Sequence, residues 1–160
     1  MRIRLSILTL SAVSTLGAQQ TPAIRQLGSV VATSRETFGS SIAVRHSKNG
    51  VLVNDVQARR LLMLDPALAT FSVVADSTPA TANAYAGRTG GLLAYRGDSS
   101  LFVDPQSMSM LVVDPDGKVG RVMSVPRSQD AMVLGNPIIG NAVIDAKGRL
   151  VYRPIPRPDM

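Results

Sequence analysis

Cysteine and tryptophan are both absent from the 160 residues, and aromatic residues make up only 4%. Missing thiols exclude disulfide staples, thiolate zinc sites, redox pairs, a cysteine nucleophile and a lipidated cysteine anchor. They do not exclude export, because a domain of this size can rely on its hydrophobic core. With so few rings, aliphatic side chains must fill that core. Histidine is nearly absent as well: His46 alone would have to serve any Ser-His-Asp triad or His-based metal site. It stands in a polar stretch beside Ser47 and Lys48, where a solvated turn residue is expected. Clustered charge is also lacking. The 17 Lys+Arg outnumber the 11 Asp+Glu, but the cations are scattered singly apart from Arg59-Arg60. A nucleic-acid surface needs cations gathered into a patch and interleaved with stacking rings, so no nucleic-acid partner is expected.

Apolar runs long enough for a membrane are missing too. Leu5 to Leu16 carries no charge, but it is only about a dozen residues where a span needs roughly 20. No membrane span is expected. Its flanks suggest an address instead. Met1-Arg2-Ile3-Arg4 supplies a positive start, and Leu16-Gly17-Ala18 offers small residues before Gln19, with cleavage after Gly17 or Ala18. This is the three-part pattern of a secretory signal peptide over 1–18, followed by a linker over 19–38. The mature chain is therefore expected in the periplasm or outside a bacterial cell. Removing Arg2 and Arg4 leaves 15 basic against 11 acidic residues, which predicts at most weak attraction to an anionic envelope surface.

Beyond residue 38 the most informative feature is self-similarity. Asp55 and Asp104 stand 49 residues apart, and the same offset carries Leu52 onto Leu101, Leu62 onto Leu111, Asp65 onto Asp114, Pro66 onto Pro115 and Val73 onto Val122. Leu150 lies a further 49 beyond Leu101. Each unit divides into four short strands rich in Val, Leu and Ile. In the first these are about 42–45, 51–54, 61–64 and 71–75. The second unit has them at about 92–95, 101–103, 110–113 and 121–125, and the third only at 142–144 and 149–152. Polar turns close the hairpins: His46-Ser-Lys-Asn-Gly50, Arg96-Gly-Asp-Ser99, Asp114-Pro-Asp-Gly117 and Asp145-Ala-Lys-Gly148. Gly and Asn tolerate the positive φ such turns need.

The third strands decide the architecture. Leu61-Leu-Met-Leu64 and Met110-Leu-Val-Val113 are apolar at every position. A half-solvated strand alternates, because successive side chains point to opposite faces; unbroken apolarity means that both faces are covered. The inner strands of a β-propeller blade meet that condition, since each four-stranded sheet lies between two neighbours. The predicted fold is all-β: a partial β-propeller of about two and a half antiparallel blades (39–80, 90–128 and a partial 140–160) after an N-terminal signal helix. A ring needs about four to eight blades, so missing blades or self-association would have to close it, and the chain is expected to be an N-terminal fragment.

The repeats resemble those of six-bladed propellers of the TolB-like and NHL-like kind. The residues that carry the resemblance are Val53-Asn-Asp55 to Leu64-Asp-Pro66, Val103-Asp-Pro105 to Val113-Asp-Pro-Asp-Gly-Lys118, and Ile144-Asp-Ala-Lys-Gly-Arg149. The resemblance implies that the loop after the second strand and the segment leading into each blade share a ligand-binding face. Those segments are 55–60, 104–109, 76–91 and 126–140. Two of them, 76–91 and 126–140, are long for a compact domain, which raises their functional weight.

Asp55 and Asp104, at equivalent ends of second strands, are the candidate ligand-binding residues. Capping of their own turns is the competing reading. Arg153 stands at the third equivalent position, against a ring of carboxylates. Other candidates fall away. Asp114-x-Asp116-Gly117 opens like a calcium loop, but Gly120, Val122 and Val125 stand where further oxygen ligands belong. Glu36 is the lone glutamate, which leaves a paired-glutamate mechanism without its partner. Gly87-Arg-Thr-Gly-Gly91 lacks the phosphate-loop lysine and leads into a strand. The reading is an exported binding module of the bacterial envelope that takes a protein, peptide or glycan, with no catalytic residue, metal or cofactor assigned. The alternative is a piece of a six-bladed hydrolase, of the calcium-dependent lactonase type, whose catalytic residues lie on missing blades.

Overall fold

The computed structural model describes residues 24–40, 42–78, 85–136 and 142–154. The expected signal helix over 1–18 and the start of the linker lie outside the described residues, as do 79–84 of the first long lead-in segment. Residues 24–40 carry no helix or strand.

The first repeat forms β1 (Ile42–Ser47), β2 (Gly50–Asp55), β3 (Arg60–Leu64) and β4 (Phe71–Asp76). The second forms β5 (Gly91–Ala94), β6 (Ser100–Asp104), β7 (Ser109–Val113) and β8 (Val119–Ser124). Each set is one antiparallel four-stranded meander in chain order, and β9 (Val143–Ile144) pairs with β10 (Leu150–Val151) in a small third sheet. The chain is thus nearly all β, with strands at the positions the repeat predicts. His46 is a correction: it lies within β1, paired with Val51, rather than in a turn, although it remains exposed.

Register carries the repeat into three dimensions. Val53 lies between Val44 and Leu62, and Phe102 lies between Leu92 and Leu111 in the same way. Both meanders also shift register against their fourth strand, early in β3 at Leu61/Leu62 and at the end of β7 at Val112/Val113. The Asp-led turns work by one mechanism. Asp114 accepts from the amides of Asp116 and Lys118, and Asp145 from those of Lys147 and Arg149. The fourth residue of each turn must take positive φ, 80° at Gly117 and 77° at Gly148, which only glycine does at little cost.

The two meanders stack face to face. Leu52, Leu61, Met63, Val74 and Ala75 of the first meet Phe102, Leu111 and Val113 of the second, with Tyr85 between them. The Tyr85 and Phe102 rings meet edge to face at 4.7 Å, a favoured aromatic geometry. On its far side the second sheet buries Leu93, Leu101, Val103 and Met110 against Ala131, Leu134 and Ala142, with Leu150 and Tyr152 at the margin. Both faces of β6 and β7 are therefore covered, which is why those strands read as unbroken apolar runs. Each such leucine, fully buried, contributes about 1.5–3 kcal/mol.

The second long lead-in segment is described over 126–136, with 137–140 outside the described residues, and that part is not all loop. It contains a 3-10 turn, Ser128–Asp130, and one helical turn, α1 (Ala131–Leu134), with Ala131, Val133 and Leu134 buried. The physical reason is the second sheet's otherwise bare face, which these apolar residues cover. Asp130 holds this turn in place by accepting from Tyr152 Oη at 2.7 Å and from Arg127.

Candidate functional site

The rim of the stack that carries the β2–β3 turn, the β6–β7 turn and the lead-in segments gathers most of the chemically distinctive side chains. Asp55 ends β2, and its two carboxylate oxygens accept from Gly39 N at 3.1 Å and Ala58 N at 3.0 Å. Arg60 approaches the same carboxylate at 3.4 Å and donates at 2.7 Å to Glu36. Asp104 repeats the device one unit on, accepting from Ala86 N at 2.8 Å, Gly87 N at 3.1 Å and Gln106 N at 3.1 Å. Each aspartate thus ties the segment that leads into its sheet to the turn at the end of its own strand. Both side chains are fully buried. A ligand could reach either carboxylate only by displacing these backbone donors.

Burial alone pushes the Asp55 carboxyl up, but the amides of Ala58 and Gly39 and the Arg60 guanidinium outweigh it and hold the pKa below 3.8. Close approach of the lead-in backbone requires glycine. A Cβ on Gly39 would lie 2.7 Å from Gln57 Cβ, and one on Gly87 would lie 2.9 Å from Asp104 Oδ1. Behind the rim, Asn54 donates to Gly90 O and accepts from Tyr85 Oη at 2.9 Å. Burial raises the Tyr85 hydroxyl to about 12.

Outside this bonded layer lie two adjoining clefts of about 460 and 560 Å³. Arg59 and Arg88 line both. The β2–β3 turn places Arg59 at φ 52°, in the left-handed region, and the β6–β7 turn does the same for Met108 at φ 55°. The conformation therefore belongs to the turn, at a cost of about 1 kcal/mol for a non-glycine residue. It holds the Arg59 side chain across the lead-in segment, where Nη1 reaches Ala86 O at 3.4 Å. Arg88 projects from that segment, exposed and without a hydrogen-bond or ion-pair partner among the described residues. Ser40, Gln57, Thr89 and Gln106 supply further polar groups, and Met132 of α1 closes one end.

Sequence reasoning found the aspartates and missed the arginines. Asp55 and Asp104 announce themselves through the 49-residue offset. Arg59 has Met108 as its counterpart, so the repeat itself conceals it; the signal that marks it is a cation at a turn position where the sister unit has none. The remaining carboxylates stay dispersed: among the described residues no three His, Asp or Glu side chains converge on a point where a metal ion could sit. Asp114 and Asp145 are engaged by the amides of their own turns. No family model and no curated protein matches this chain.

Proposed function

We propose that this chain is part of an exported β-propeller, of the TolB-like or NHL-like kind, that serves as a binding module on the outer side of the bacterial cytoplasmic membrane. The observation that carries the reading is the stacking of two four-stranded meanders in one register, 49 residues apart, with their equivalent turns on one rim. Rigid sheets holding adaptable loops at one edge are a common way to build a recognition surface. The polar side chains of the rim clefts stand outside the layer that fixes the turns, and so are free to meet a ligand. Export rests on the N-terminal pattern of Met1–Arg4, the apolar stretch to Leu16 and the small residues Gly17-Ala18.

Expression with the native N-terminus in a Gram-negative host tests both parts. The chain should appear in the osmotic-shock fraction with a new N-terminus at Ala18 or Gln19. The recovered protein should bind saturably to members of a peptide and glycan panel at physiological salt. A chain that keeps Met1 and stays in the cytoplasm would overturn export. A folded protein that binds no member of the panel would overturn the binding role.

A further inference from the structure

We infer that the two clefts flanked by Arg59 and Arg88 form a docking site for an acidic peptide segment whose carboxylates pair with these guanidinium groups. The inference rests on the binding-module reading and names its ligand. Three observations support it. The first is charge: both arginines line both clefts, and among the described residues no acidic side chain lines either one. The carboxylates nearest in sequence, Asp55 and Asp104, are fully buried beneath the turns and occupied by amides and by Arg60. Arg59 is held only through a 3.4 Å contact to a carbonyl, which leaves most of its donors unspent. A guanidinium has five donors in a planar fork that matches a carboxylate in two parallel hydrogen bonds.

The second observation is shape. The clefts meet at the arginine pair and extend to either side of it, towards Ser40 and Gln57 in one direction and towards Gln106 and Met132 in the other. An extended segment of several residues fits such a channel, whereas a single small anion would engage only its centre. The Gln106 side-chain amide has no partner among the described residues and can bond a peptide backbone. Gln57 spends its oxygen on Ser40, which leaves its NH₂ to donate to a peptide carbonyl. The third observation concerns rings. Among the described residues none lines either cleft: Tyr85 and Phe102 are fully buried in the core, and Phe38 packs on the first sheet beneath Arg60. A base would find no stacking platform here, and a sugar no flat apolar face.

The decisive measurement is fluorescence anisotropy of a labelled hexaglutamate peptide with the purified chain, beside hexaglutamine, an oligogalacturonate and inorganic phosphate as competitors. Hexaglutamate should bind saturably and weaken with added salt, and hexaglutamine should not bind. Arg88→Gln and Arg59→Asn should each weaken binding by about tenfold, the loss of one charge-assisted pair. Asparagine is chosen for position 59 because it tolerates the left-handed turn. Arg35→Gln, an exposed cation outside the clefts, should leave binding unchanged and so control for net charge. Equal weakening by all three variants would reduce the effect to overall charge and overturn the proposal. So would stronger competition by oligogalacturonate or phosphate than by unlabelled hexaglutamate. If neutral panel members bind and hexaglutamate does not, the acidic ligand is wrong while the binding-module reading stands. If nothing binds a folded protein, the module reading itself fails.

Discussion

Asp55 and Asp104 each tie separate pieces of chain through one buried carboxylate, and removing either leaves three donors without their acceptor at once. Asp55→Ala takes the acceptor from Gly39, Ala58 and Arg60; Asp104→Ala takes it from Ala86, Gly87 and Gln106. Each substitution should cost about 1–3 kcal/mol in urea unfolding at neutral pH, because three donors lose their acceptor together, although only the Gly87 amide is fully shut off from water. The acid limb follows from the same contacts. The folded-state pKa of Asp55 lies below the unfolded value of about 3.8. Its contribution is therefore fully present above that value and is lost as pH falls through the folded pKa. Asp65 and Asp145, lowered chiefly by Thr70 and Arg149, act in the same window. Urea midpoints followed from neutral pH to pH 2 should drop below about pH 4, less steeply in Asp55→Asn. An identical acid limb in that variant would show that the carboxylate is not held ionised by the fold. The two aspartates were visible in the sequence as a repeated strand end. Their partners were not, because Gly39 and Ala86 lie 16 and 18 residues upstream and meet them only after the sheets form.

Among the elements, the strands were legible and the helix was not. The eight meander strands, of four to six residues, announce themselves by short apolar runs between Asp, Gly and Asn turns. A single helical turn such as α1 is too short to show a 3.6-residue period. Its place is set by a close backbone crossing: Gly135, just past α1, lies against Gly91 at the start of β5. A Cβ on Gly91 would come within 2.1 Å of Gly135 Cα, where no flexible side chain can yield. Gly91→Ala should therefore destabilise by about 1–3 kcal/mol through overpacking, seen as a lower Tm. Gly120→Ala in β8 meets nothing within 4 Å and serves as the near-neutral control. Equal melting of the two variants would mean that this crossing does not hold α1 in place.

On the scale of the whole molecule, the first sheet presents a face that its sister sheet keeps covered. Leu92, Phe102, Leu111 and Val113 lie against the first sheet, and their register equivalents are Val44, Val53, Leu62 and Leu64. Phe38 and Leu68 cover the middle of the latter group, but Ile42, Val44 and Phe71 remain 48%, 55% and 46% exposed. In a solution of this chain alone, a second copy is expected to cover this face. Sedimentation velocity should show association that rises with concentration and is abolished by Val44→Lys, which places a charge in the contact. A monomer that stays fixed at every concentration would rule this out.

Strand positions, turns, the 49-residue repeat and the need to cover β3 and β7 on both faces are all written into short stretches of chain. These are local properties, encoded in spacing and side-chain type. Which face meets which, the inward fold of 126–136, the remote amides on the aspartates and the shared clefts of Arg59 and Arg88 emerge only once the sheets have stacked. Those outcomes depend on distances between residues far apart in the chain, and such distances are set by how the sheets stack, which no pattern within a single strand or turn specifies.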